Sequence, residues 1–339
     1  MRHVLVIRLS ALGDAAILVP VLRARAAANP AVKFTVAAPP LLEPLFDGMP
    51  NVAFAGIKKQ QPSRLIYKAL RDIGADTVAD LHAVNRVDRA LLLLRLHHWL
   101  RGHFGFRVYR LVKDRAGRRR MLNHSDMAPL RPQWQRYDDV FGSMGLAAPA
   151  TIPTPSRPHH EGSPRVGLAP FAQHVGKIYP PQATEELALL LANRGYQVAL
   201  YGSKAESPTL EALAQKHHNI SSLAGKLPFA DELKSIADLD LMVSMDSANM
   251  HFASALGTPV VSIWGATHPD LGFYGYGQPR SNALCAGLDC QPCSAYGRKA
   301  CRFGTYQCLA AITPTMVANK VGEVLSAAKP HATGETKMA

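Results

Sequence analysis

"LDLMVSMDSANMHFASALGTPVVSIWGATHP", residues 239–269, joins two apolar runs through a short polar cluster. The first run, 239–245, reads as a buried strand, and "PVVSIWG", 259–265, reads as another. Between them, 247–256 has helical periodicity. Gly257 is a fitting stop, because glycine enters the left-handed backbone region without strain. A strand, a helix and a second strand, with both strands apolar throughout, form the unit of a parallel sheet covered on both faces. Asp246, Ser247, Ala248, Asn249 and His251 fall where the first strand ends and the helix begins. Free N–H groups and the positive end of the helix dipole lie there, which suits a diphosphate. Capping by Asp246 or Ser247 explains one polar residue, but not Asn249 and His251 as well.

The same alternation extends in both directions. Strands are expected at 3–9, 33–38, 51–57 and 76–82 in the first half. In the second half they are expected at 165–170, 197–202, 219–223, 239–245 and 259–265. Helices are expected at 14–28, 89–100, 182–194, 206–217, 229–237 and 247–256, the second of them strongly apolar and packed on a sheet. The fold class is therefore α/β, with two parallel, doubly wound sheets. "APATIPTPSRPHHEGSP", 148–164, carries five prolines and reads as a linker. The expected division is 1–158, 159–329 and a disordered tail at 330–339. Ligands of such sheets bind beyond the carboxyl ends of the strands, so the loops that follow strands are where chemistry is expected.

Charge separates the two halves. Residues 1–150 hold 23 Lys/Arg against 11 Asp/Glu, whereas 151–339 hold 15 against 14, within a total net charge of +13. The first half is thus expected to meet an anionic partner: nucleic acid, a phosphorylated glycolipid or a membrane surface. Its basic residues do not interleave with aromatics, and no nucleic-acid motif is present, which argues against nucleic acid. Arg8 and Asp14 interrupt the apolar N-terminus, so it does not read as a signal peptide. No uncharged apolar run reaches about 18 residues, and the expected location is cytoplasmic. Five cysteines (285, 290, 293, 301 and 308) fall in one segment. "CQPC", 290–293, has metal-ligand spacing and leaves a structural zinc open. The alternative, reduced thiols packing a loop, is preferred, and no metal or other cofactor is expected.

Three more loops complete the set. "RLSALGDAAILVP", 8–20, places Gly13 for close backbone approach and Asp14 as either a cap or a carboxylate aimed into a cleft. "FAQHVGKIYPPQ", 171–182, carries Gln173 and Lys177, the latter placed for a phosphate. "YGSKAE", 201–206, carries Gly202 and Glu206, the latter either a cap or a carboxylate for ribose hydroxyls.

Together with "DLHAVNR" at 80–86 and "DSANMHFASALGTPVVSIWGATHP", these loops resemble the bacterial lipopolysaccharide heptosyltransferases of glycosyltransferase family 9. The resemblance covers about 1–325. It implies a GT-B fold, two Rossmann-like domains facing a cleft, with the donor in the second. It implies metal-independent, inverting transfer from a nucleotide-diphospho-sugar, typically ADP-heptose, to a phosphorylated lipopolysaccharide-core acceptor at the inner face of the inner membrane. Asp14 then corresponds to the general base and Lys177 to the lysine on the donor phosphates. Glu206 corresponds to the ribose-binding acid, and Asp246, Ser247, Ala248 and His251 to the donor loop. Gly13, Gln173, Gly202, Leu227 and Asn249 join the donor set by the same resemblance. Arg86 corresponds to a basic residue facing the acceptor. Arg115, Arg118, Arg119 and Arg120, in the basic segment 109–124, are either acceptor contacts or part of a solvated, mobile loop. The sequence departs from the family at Ala248, where glycine is usual, at Ala172 and Gln173, which replace hydroxyl residues, and in "DLHAVNR". Another GT-B activity on a different nucleotide sugar, an epimerase or a non-heptose transferase, remains an alternative.

Overall fold

A computed structural model describes residues 2–58, 60–148 and 162–328. The expected domain boundary near 158 and the expected tail lie outside the described residues. In the first half the chain runs β1 (His3–Ile7), α1 (Leu12–Ala28), β2 (Lys33–Ala38), β3 (Val52–Gly56), α2 (Ser63–Ile73), β4 (Thr77–Asp80), α3 (Asn85–Leu100), β5 (Arg107–Arg110), α4 (Arg115–Leu122) and α5 (Gln133–Ser143). In the second half it runs β6 (Arg165–Ala169), α6 (Pro181–Asn193), β7 (Gln197–Leu200), α7 (Ser207–Ala214), β8 (Ile220–Ser222), α8 (Phe229–Ala237), β9 (Leu241–Met245), α9 (Ala248–Leu256), β10 (Val260–Trp264), β11 (Ala283–Cys285), α10 (Gln307–Ala310) and α11 (Pro314–Ala328).

The strands form two wholly parallel sheets, ordered β3-β2-β1-β4-β5 and β11-β10-β9-β6-β7-β8. Central strands such as β1, β9 and β10 are buried almost end to end, which is why they read as continuous apolar runs. In each sheet the winding direction reverses at one point, between β1 and β4 in the first and between β6 and β9 in the second. Adjacent loops splay apart at such a reversal and leave a crevice. The loops after β1 and β4 and those after β6 and β9 are among those singled out above from the sequence, whereas the loop 201–206 follows β7.

One apolar core joins the two sheets. Ala15, Ala16 and Val19 of α1 share a continuous buried cluster with Met250, Phe252 and Ala253 of α9. Separate clusters lie beneath α2 and α3 and within the second sheet layer.

Two sequence expectations change here, and some elements were not foreseen. The mobile-loop reading of segment 109–124 gives way: β5 closes the first sheet, and α4 follows after a short connection. Asp114 caps α4 by accepting the Gly117 N–H at 2.8 Å. The α3 helix buries only one face, with Val87, Ala90, Leu91 and Leu94, while its opposite apolar stripe lies in solvent. Finally, α5, α11 and the edge strand β11 had no clear periodic signal. Among the described residues no helix is long and apolar enough to cross a membrane.

Candidate active site

The site is built where the first turns of α1 and α9 meet. Gly13 sits in the first turn of α1, and a Cβ there would come 2.5 Å from Cδ2 of His251. Glycine at 13 therefore makes room for an imidazole from the other domain, where the sequence pointed to room for a ligand. His251 is buried, and among the described residues its Nδ1 has no hydrogen-bond partner. Burial pushes its pKa down to about 4, against the opposing pull of Asp246 and Asp14, so the ring is neutral at pH 7.

Asp14 lies one residue on. Its Oδ2 accepts the Ala11 N–H at 3.2 Å, which satisfies one orphan donor of α1, and it is ion-paired with Arg8. Arg8 is buried at the end of β1. It donates to the Leu81 carbonyl at 2.5 Å, and its guanidinium lies 5.7 Å from the Tyr137 ring centre. Burial works against its charge, but Asp14 and Tyr137 outweigh it and raise the Arg8 pKa. Tyr137 also donates to the Asp14 carbonyl at 3.2 Å. Asp14 thus serves as a cap of α1 and as the partner of a buried guanidinium. Arg8 holds it in place, and the sequence showed Arg8 only as a charge embedded in an apolar strand.

On the facing side, neither Asp246 nor Ser247 caps α9. Ser247 is the N-cap residue by backbone position, but its side chain makes no capping bond and its Oγ lies 3.2 Å from Ser244 Oγ. Asp246 Oδ2 instead accepts from Thr267 Oγ1 at 2.8 Å and lies 3.3 Å from Lys177 Nζ. The first-turn N–H groups of α9 are left without a side-chain acceptor. Lys177 is delivered by a tight turn after β6. The Gly176 carbonyl accepts the Ala266 N–H at 2.8 Å, and a Cβ at Gly297 would come 2.6 Å from Lys177 Cγ. The buried Gln291 amide braces the same region, donating to the carbonyls of Gly265, Trp264 and Thr267 at 2.7, 3.0 and 3.3 Å.

The remaining expected donor residues are more dispersed. Glu206 starts α7, and its Oε2 closes a turn by accepting the Ser203 N–H at 2.6 Å. A Cβ at Gly202 would come 3.1 Å from that Oε2, so Gly202 makes room for the turn. Leu227 and Asn249 are half-buried and Gln173 is exposed.

In the first domain a cavity of about 550 Å³ opens beside the Asp14 loop, lined in part by Ser10, Ser63, His82, Asn85, Arg86 and Arg89. Its rim is held by buried Asp80, which accepts the N–H groups of His82 at 3.1 Å and Ala83 at 2.8 Å. Ala83 is thereby turned into the left-handed region at φ 48°, and its carbonyl accepts from Lys113 Nζ at 2.8 Å. Burial, together with Arg8 and Arg115 nearby, pulls the Lys113 pKa down. Of the arginines expected at the acceptor, Arg86 lines the cavity and Arg115 and Arg119 are exposed on α4. Arg120 pairs with Asp126 at 3.3 Å. Arg118 is buried, donating to Tyr296 Oη of the second domain at 2.6 Å. Among the described residues no group of three or more His, Cys, Asp or Glu is arranged to hold a metal ion. Four of the five cysteines line a separate small cavity behind Ala266.

The chain was compared with known proteins. It is 31% identical over 170 residues to lipooligosaccharide heptosyltransferase 2 of Haemophilus influenzae, an alignment covering 48% of each chain. It thus matches about half the length of this curated relative. Its fold superimposes on the structure of Escherichia coli ADP-heptose lps heptosyltransferase II with a TM-score of 0.69 at 23% identity, covering 96% of this chain and 99% of that one. An E. coli heptosyltransferase solved with ADP gives a TM-score of 0.66 at 20% identity, covering 95% and 99%. The two doubly wound domains are those of the GT-B fold. The model of glycosyltransferase family 9 (heptosyltransferase) matches residues 131–306, just over half of the chain, from α5 through the whole second sheet and four of the five cysteines. The chain belongs to glycosyltransferase family 9, the heptosyltransferase family.

Proposed function

We propose that this protein is an inverting, metal-independent transferase. It moves a heptose or related sugar from a nucleotide-diphospho-sugar, with ADP-heptose favoured, to a phosphorylated lipopolysaccharide-core or glycolipid acceptor. One observation carries this reading. The Lys177–Asp246 pair stands beside the uncapped first turn of α9, whose His251 packs against Gly13, one residue from Asp14. The names of the Haemophilus and E. coli relatives support the sugar and the donor.

In this reading the donor diphosphate lies on the α9 N-terminus, and the acceptor's reacting hydroxyl enters from the cavity. Asp14 takes the hydroxyl proton as the oxygen attacks the anomeric carbon from the face opposite the diphosphate. The new C–O bond forms as the bond to the diphosphate oxygen breaks, and the nucleoside diphosphate leaves with the electron pair. Lys177 and the α9 N–H groups meet the charge that develops on it, a role a metal fills in other transferases. Basic groups around the cavity, Arg86, Arg89 and Lys113, meet the acceptor phosphates. Glu206 holds ribose hydroxyls once it releases its turn. The enzyme works on the cytoplasmic side.

Turnover of Lys177→Ala with a panel of ADP-, UDP- and GDP-sugars is the test. The expected result is a preference for the ADP-sugar, insensitivity to excess EDTA, and a loss in the variant of about 10²-fold. Wild-type turnover in Lys177→Ala would remove the electrostatic role. Preference for a uridine or guanosine donor would favour another GT-B activity.

A further inference from the structure

The α3 helix is apolar on two opposite faces. One packs in the core through Val87, Leu91 and Leu94. The other runs through Leu92, Leu96, Trp99 and Leu100 at helical spacing and continues into Phe104. Their exposures are 68%, 51%, 61%, 69% and 77%. A surface helix of a soluble protein ordinarily turns polar residues outward. A contiguous exposed stripe of this kind marks an interaction surface.

The setting identifies the partner. Arg89, Arg95 and Arg101 are exposed along the same stretch. Between residues 58 and 120 there are 16 Lys/Arg against 5 Asp and no Glu. The one acidic residue of α3, Asp88, is paired with Arg110. A second copy of this face would set arginine against arginine. A bilayer of anionic phospholipid matches both features, with leucine and tryptophan entering the interface and arginines meeting phosphates. Position points the same way. The first turn of α3 lines the acceptor cavity through Asn85, Arg86 and Arg89. At about 1.5 Å per residue, the apolar stripe starts about 9 Å beyond Arg86 and ends about 21 Å beyond it.

We propose that the outward face of α3, from Leu92 to Phe104, docks this protein on an anionic bilayer. The acceptor's sugar-phosphate head then reaches the cavity along the helix while its acyl chains stay in the membrane. This rests on the reading of the acceptor as a glycolipid. It relocates membrane contact from segment 109–124 to the preceding helix.

The test uses the full chain and vesicles without donor or acceptor. Wild type is expected to sediment with vesicles rich in phosphatidylglycerol and not with pure phosphatidylcholine. Brominated acyl chains are expected to quench its tryptophan emission. Trp99→Phe should lose the quenching and keep the sedimentation, since Trp264 is buried in the core and Trp134 is half-buried against Tyr276, away from α3. Leu96→Glu/Trp99→Glu should melt as wild type does and lose vesicle binding by about tenfold or more. Three results would each overturn the proposal. Wild type could stay in the supernatant, the Leu96/Trp99 variant could bind vesicles normally, or it could change only the oligomeric state. Failure of the activity reading is separable. A protein that docks but transfers no sugar leaves this surface standing. One that transfers to a deacylated, water-soluble acceptor but never docks removes this surface alone.

Discussion

Asp14 has two occupations, and they must be separated before any variant is interpreted. Asparagine caps nearly as well as aspartate, so Asp14→Asn would separate the two if the carboxylate had no other partner. The Arg8 pair changes that expectation. Losing the carboxylate strands a buried guanidinium, which costs about 3 kcal/mol. We therefore expect Asp14→Asn to lower both thermal stability and turnover, the latter by about 10²-fold. Arg8→Met/Asp14→Asn should recover most of the stability and none of the turnover, because it removes both charges together. Melting and initial rates on all three variants check this, and recovery of turnover in the double variant would reduce Asp14 to a structural role. His251 gives a pH signature. Its folded pKa of about 4 lies below the ordinary value of 6.5, so the unfolded chain takes up a proton first as pH falls. The stability due to the neutral ring is full above about pH 6.5 and is lost between there and pH 4, by up to about 3 kcal/mol. Urea titrations at pH 7 and 5 should show a smaller acid loss in His251→Gln, and equal losses would refute the assignment. At this scale the sequence revealed residue types at strand ends but not their pairing. The partners of Asp14 and Asp246 were among quoted residues, yet nothing in the spacing linked Thr267 to Asp246, or Gln291 to three carbonyls of another loop.

The helices α1 and α9 meet at a contact that tolerates no added atom. Gly13→Ala places a methyl carbon against the His251 ring, and overpacking of this kind costs about 1–3 kcal/mol. We expect the variant to be destabilised by that amount and Gly13→Ala/His251→Ala to be relieved. Denaturant melts of the two decide it, and a silent Gly13→Ala would mean that the helices separate freely. Elements were legible where burial imposed continuous apolar runs: nearly every central strand ends within two residues of its expected limits. The edge strands β5 and β11 escaped notice for the converse reason. β5 is "RVYR", half exposed and charged at both ends, and β11 has three residues. Edge strands pack on one side only and carry the charges that discourage further pairing. The same arginine-rich composition hid α4, whose one clear signal is the Asp114 cap.

The whole molecule has two sheets but shares one core across them. A single cooperative calorimetric transition follows, with no separately melting domain. Two resolved heat-absorption peaks would show that the joint is weaker than its buried residues indicate. The charge asymmetry read from the sequence survives as a division of labour, since the basic groups crowd the first domain around the cavity and α3. The shared core also has a kinetic consequence. Parting the domains would expose Ala16, Val19, Met250 and Phe252 to water. Separation of α1 from α9 is therefore opposed by the wetting of that apolar surface, which slows any opening of the joint.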